Sequence, residues 1–199
     1  MISALILAAG MSKRFRNNKL ITPIMGKPMI KWTVEAAVNS MVDEVIVILG
    51  FEAEKVRKVI DDLPCKIIVN ENYLDGMSST VKFGVKYVMN YSEAVVIIPG
   101  DCPFIGSNSI NLVINAYRET RAPIIIATFK GRRGHPILIS HELFPEVLKI
   151  SEETYGLKQL IRKYEDKILH VEASTIGVLI DIDSPDDIDR AVKLILKRK

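Results

Sequence analysis

The chain has 199 residues, 48% of them apolar and 26% charged, with 27 basic and 24 acidic side chains and a net charge of +3. That length suits one domain with a sizeable core, and so mild a charge gives no sign of general nucleic-acid binding. Two cysteines without a CxxC pair give no thiolate metal site or disulfide framework. No apolar run approaches the roughly 18–20 residues a membrane span needs, and no signal peptide is visible. The expectation is a cytoplasmic protein that binds neither nucleic acid nor membrane.

In chain order, "SALILA" (3–8) reads as a buried strand and "PMIKWTVEAAVNSM" (28–41) as a helix with Pro28 in its first turn. Strand 43–50 and helix 52–63 follow, then strand 65–70 and helix 78–91, opened by Ser78 as a cap. Strand 93–101, helix 107–119 and strand 122–129 continue the alternation. These strands are almost continuously apolar, the pattern of a sheet covered on both faces. The fold class is therefore α/β, a doubly wound, mostly parallel sheet with helices on both faces. Beyond residue 130, "GRRGHPILIS" reads as a turn into a short strand, 167–173 and 177–182 as further strands, and 184–199 as a helix capped at Ser184.

Ligands of open α/β sheets sit beyond the carboxyl ends of the strands. After the first strand comes "GMSKRFRNNK", a glycine turn carrying Lys13, Arg14, Arg16 and Lys19. It matches neither the P-loop nor the GxGxxG fingerprint. Its residues alone fit a phosphate cradle or an ordinary basic loop equally well. Asp101 in "GDCP" is placed to cap a turn or to hold Mg²⁺. In "DIDSPDD", Asp181 and Asp183 alternate at the end of the expected strand and so point to opposite faces. "NENYLDGMSST" presents polar atoms and a helix start at the same sheet edge.

In this order, the stretches "LAAGMSKRFRNNKLITPIMGKPMI", "DGMSST", "GDCP", "RGHP" and "DIDSPDD" resemble the MobA-like nucleotidyltransferase family. The pairing of LAAG with RGHP is similar to its molybdenum cofactor cytidylyltransferase (MocA-type) branch. The resemblance implies a Rossmann-like nucleotidyltransferase fold in a single domain over 1–199. About 1–105 would bind the nucleotide and about 106–199 the acceptor. It also implies an Mg²⁺-dependent transfer of a nucleotidyl group, CMP from CTP, to a phosphorylated acceptor of molybdopterin type.

By the same resemblance Leu7, Ala8, Ala9 and Gly10 line the nucleotide, and Arg14 and Lys19 bind the triphosphate. Asn72, Gly76 and Ser78 lie near base and ribose. Asp101 and Asp183 hold the metal, with Asp181 as the substitute for the second. Arg132, Arg133 and His135 face the acceptor. Arg14, Lys19 and Asp101 are the residues expected to carry the chemistry. Phe15 and Arg16 depart from the family's usual Met and Gly. Three alternatives are a GTP-using guanylyl transferase, a sugar-phosphate or cobinamide-type nucleotidyltransferase, and a non-catalytic nucleotide-binding module.

Overall fold

The computed structural model describes residues 1–15 and 17–196. Arg16 and the last three residues of the expected C-terminal helix lie outside the described residues. Strand β1 (Ile2–Ala8) lies inside a seven-stranded sheet. The other strands are β4 (Glu44–Leu49), β5 (Lys66–Val69), β6 (Ala94–Pro99), β7 (Ile124–Phe129), β8 (Arg132–Ser140) and β9 (Ile168–Glu172). The order across the sheet is β5-β4-β1-β6-β8-β7-β9. Every adjacent pair is parallel except those made by β8, which runs antiparallel to β6 and β7. A two-strand hairpin, β2 (Pro23–Ile24) with β3 (Lys27–Pro28), stands apart.

Alternation along β1 explains the apolar run. Ile2, Ala4, Ile6 and Ala8 face one core, which includes residues of α1 (Met29–Val38), α2 (Ala53–Arg57), α4 (Ser107–Thr120) and α7 (Pro185–Leu196). Leu5 faces the other, with α3 (Met77–Val88), α5 (Phe144–Val147) and α6 (Leu157–Lys163). Each fully buried aliphatic side chain is worth about 1.5–3 kcal/mol, so both faces hold the sheet. Helices on both faces of a mostly parallel sheet are the expected class.

Four local expectations need correction. The helix expected at 52–63 is only Ala53–Arg57, followed by tight turns (Val59 N–H to Val56, Ile60 N–H to Arg57, Leu63 N–H to Ile60). Pro64 closes that run of turns by disfavouring helical backbone at Leu63. The segment after "GRRG" is not a short strand: β8 is nine residues long and closes a hairpin with β7. The strand expected at 177–182 is a 3-10 turn, Ile176–Leu179, leading into extended chain. Val178 and Ile182 are buried beside the sheet, outside it, which is why their spacing imitates a strand.

Ser78 is not the cap of α3. The cap position is Gly76 (φ +89°), and the Ser78 N–H is satisfied from far along the chain by Glu152 Oε1 at 2.5 Å. A Cβ on Gly76 would lie 2.4 Å from Glu152 Cγ, so only glycine admits that carboxylate.

Candidate active site

The carboxyl ends of the parallel strands open on a cleft of about 570 Å³. Of the residues that the resemblance implies for the site, Leu7, Ala8, Ala9, Gly10, Arg14, Lys19, Gly76, Asp101 and Asp183 line it. Asn72, Ser78, Arg132, Arg133 and His135 do not. Tyr73, Leu74, Met77 and Thr80 line the flank where Asn72 and Ser78 were expected.

Three elements converge at its base. The loop after β1 returns through a 3-10 turn, Lys19–Ile21, whose first residue points across the strand ends. Lys19 Nζ donates to Asp101 Oδ2 at 2.5 Å, to the Ile182 carbonyl at 3.0 Å and to Asp183 Oδ1 at 3.5 Å. Arg14 Nη2 lies 3.1 Å from Asp183 Oδ2. Lys19 and Asp101 are largely sheltered, with side chains 15% and 19% exposed, whereas Arg14 at 65% is open to solvent. The sheltered pair is therefore the less screened of the two.

The backbone around Asp101 is fixed on both sides. Gly100 N–H donates to Leu7 O at 2.8 Å, and Asp101 O accepts from Ile182 N–H at 3.0 Å. A Cβ on Gly100 would meet Ile30 Cδ1 at 2.9 Å and Leu7 O at 3.1 Å, so glycine lets β6 pass that close to β1. Asp183 is held from its other side: Asp187 Oδ2 accepts from Asp183 N–H at 3.2 Å and from Ser184 N–H at 2.7 Å. From the sequence Asp187 reads only as a first-turn acid of α7. It is also the brace of the segment that carries Asp183.

Asp183, and not Asp181, lines the cleft and touches both cations. Partial burial, with the charges of Asp183 and Asp101 nearby, pushes the Asp181 carboxyl above its usual range. The Cys102 thiol is pushed well up by burial and by Asp101, so it is a neutral core group and no nucleophile. Ser12 lines the cleft in a left-handed conformation (φ 52°). Its hydroxyl is buried without a hydrogen-bond partner among the described residues.

The donor set suits a hard divalent cation. Two carboxylates already share one positive group, and Mg²⁺ takes one or two carboxylates, with phosphate oxygens and water completing its shell. Among the described residues no cluster of three or more His, Cys, Asp and Glu could hold a metal, so completion would fall to a ligand. Lys13, Arg14 and Lys19 outnumber the two carboxylates, leaving the cleft suited to a polyanion.

The RGHP segment lies beyond the cleft. Arg133 grips Glu165 with both terminal nitrogens and donates from Nε to His170 Nε2 at 2.8 Å, binding β8 to the far edge of the sheet. Arg132 is exposed at the hairpin. Burial pushes His135 down to about 4, against a partial opposing pull from Asp101, and its Nδ1 is buried without a partner among the described residues. A Cβ on Gly134 would sit 2.0 Å from Val178 O, and one on Gly177 would sit 2.1 Å from Phe104 O. Those two glycines let the turn at Ile176–Leu179 press against β8 and the 104 loop, which sets the course of the chain into Asp183. No described helix is long and apolar enough to cross a membrane.

Bifunctional protein GlmU of Thermotoga petrophila is 34% identical over 135 residues, 66% of this chain and 29% of that protein. The chain thus spans about three-tenths of the length of that curated relative. A nucleotidyl transferase from Methanothermobacter thermautotroptrophicus superposes with a TM-score of 0.84 at 21% identity, covering 100% of this chain and 99% of that one. The CMP:2-keto-3-deoxy-manno-octonic acid synthetase complexed with CTP superposes at 0.80 with 16% identity, covering 100% and 99%. These two likenesses establish a nucleotidyltransferase fold. The family described as the MobA-like NTP transferase domain matches residues 4–168, and the chain belongs to that family.

Proposed function

We propose that the protein is a nucleotidyltransferase that moves a nucleotidyl group from a nucleoside triphosphate to a phosphorylated acceptor and releases pyrophosphate. One observation carries this reading. Arg14 and Lys19, from a glycine loop, meet Asp101 and Asp183, from two other segments, in one cleft at the carboxyl end of a parallel sheet. A mere nucleotide binder has no need of the two carboxylates.

The acceptor's phosphate oxygen attacks the α-phosphorus in line. One phosphorus–oxygen bond forms, and the bond from the α-phosphorus to the bridging oxygen breaks. Pyrophosphate leaves with the electron pair. The attacking phosphate is already anionic at neutral pH, so no protein base is needed. The protein's work is positioning and charge neutralisation. Lys19 and Arg14 exchange their carboxylates for phosphate oxygens and stabilise charge growing on the leaving group, each worth a few kcal/mol in a water-poor site. Asp101 and Asp183 are the residues that would hold Mg²⁺. Bound there, Mg²⁺ would supply Lewis-acid polarisation of the reacting phosphoryl group.

We infer CTP as the donor and a molybdopterin-type phosphate as the acceptor. The support is the pairing of LAAG at 7–10 with RGHP at 133–136, together with a CTP-bound protein of the same fold. In this reading His135 and Arg132 belong to the acceptor half, and Gly76 with its flank to the base and ribose. The test offers CTP, GTP, ATP and UTP with Mg²⁺ and molybdopterin, and measures pyrophosphate. Release with CTP is expected. Release only with GTP moves the protein to guanylyl transfer. Release only when a sugar phosphate replaces molybdopterin reassigns the acceptor.

A further inference from the structure

The cationic loop leaves β1 at Ala9 and returns at Asn18, and a single residue outside it holds both ends. Phe51, just beyond β4, donates its N–H to Ala9 O at 3.1 Å. The Phe51 carbonyl accepts from Asn18 Nδ2 at 3.2 Å. The other end of that amide, Asn18 Oδ1, accepts from Leu20 N–H at 3.1 Å and caps the turn that begins with Lys19. Phe51 comes within reach because Gly50 follows β4, and a Cβ there would lie 2.8 Å from Ala9 Cβ. Asn18 is 1% exposed, so its amide makes these bonds largely out of water.

We propose that Asn18 is a positioning residue for the reaction. It closes the phosphate loop by tying its return to Phe51, and its cap aims Lys19 at Asp101. Alanine provides neither bond. Serine provides a capping oxygen without the reach to Phe51. Aspartate keeps the cap but sets a carboxylate against the Phe51 carbonyl. The catalytic part of this proposal rests on the nucleotidyltransferase reading, whereas the clamp itself does not.

Two measurements separate them. In the nucleotide-free protein, Asn18→Ala is expected to speed amide hydrogen exchange across the loop and at Phe51 about tenfold or more. Unchanged exchange overturns the clamp. Asn18→Ser decides the same point if the alanine variant does not fold: faster exchange supports the clamp, and wild-type exchange overturns it.

The second measurement is a double-mutant cycle on binding of CTP with Mg²⁺, read by calorimetry. Asn18→Ala is expected to weaken binding about tenfold in the wild-type background, and about threefold or less beside Lys19→Met, because it acts largely through Lys19. Equal losses in the two backgrounds overturn the positioning role. A wild type that binds no nucleoside triphosphate sinks the proposed function, and hydrogen exchange then decides the clamp alone.

Discussion

Lys19 Nζ lies 2.5 Å from Asp101 Oδ2, and the same ammonium reaches the Ile182 carbonyl at 3.0 Å. The protein's own cation therefore occupies the oxygens that a divalent cation would use. In the proposed reaction a metal bound there would compete with Lys19 for the carboxylates, and phosphate would compete with the carboxylates for Lys19. Binding of metal and of nucleotide should therefore favour each other. Lys19→Met is expected to bind Mn²⁺ about tenfold more tightly without nucleotide, and nucleoside triphosphate about tenfold more weakly. Paramagnetic resonance of free Mn²⁺ checks the first; unchanged or weaker Mn²⁺ binding contradicts it.

Asp101→Asn removes the charge while keeping the shape. The backbone bond from Ile182 to Asp101 O remains, and Lys19 retains Asp183 and the Ile182 carbonyl. Turnover is expected to fall by roughly 10²–10³ or more, the scale of losing one main electrostatic contact, with little change in thermal midpoint. Wild-type kcat in this variant would remove Asp101 from the mechanism.

His135 gives a pH signature. Its folded value is lowered to about 4 from 6.5, chiefly by burial. The unfolded chain therefore binds the proton more readily between those values, and stability contributed by the neutral ring is lost as pH falls from 6.5 towards 4. His135→Gln is expected to lose that part of the acid limb in a series of urea midpoints. Identical pH dependence in both proteins would show that the ring is charged or exposed when folded.

Gly134→Ala drives a methyl group to within 2.0 Å of the Val178 carbonyl. The turn at Ile176–Leu179 must move, and Asp183 with it. A loss of about 1–3 kcal/mol of stability is expected, on the scale of overpacking, together with reduced turnover. Denaturation and kcat on one preparation check both, and an unperturbed Gly134→Ala variant would mean that this contact is loose.

Strands β1, β4 and β6 were legible because burial on both faces leaves continuous apolar runs. Helix α4 was legible from its spacing. Residues 177–182 misled because Val178 and Ile182 are buried by packing beside the sheet, so their spacing owes nothing to strand pairing. The α3 cap was hidden because Glu152 stands 74 residues from Ser78. At the site, Lys19 and Asp101 are 82 residues apart; the strand-end rule and the resemblance placed both at one cleft, but their direct ion pair had no sequence signal. Asn18 and Asp187 carried local signals, a polar residue before a short turn and an acid in a first turn, but their partners belong to tertiary structure.

If the nucleotidyl group is transferred at the Lys19–Asp101–Asp183 cleft, CTP labelled at the α-phosphorus and incubated with Mg²⁺ and molybdopterin will show it. The label should pass to the acceptor, with one pyrophosphate released per transfer and both events slowed by roughly 10²–10³ or more in Asp101→Asn. Label that stays in CTP, or that leaves as free CMP without entering an acceptor, would contradict it.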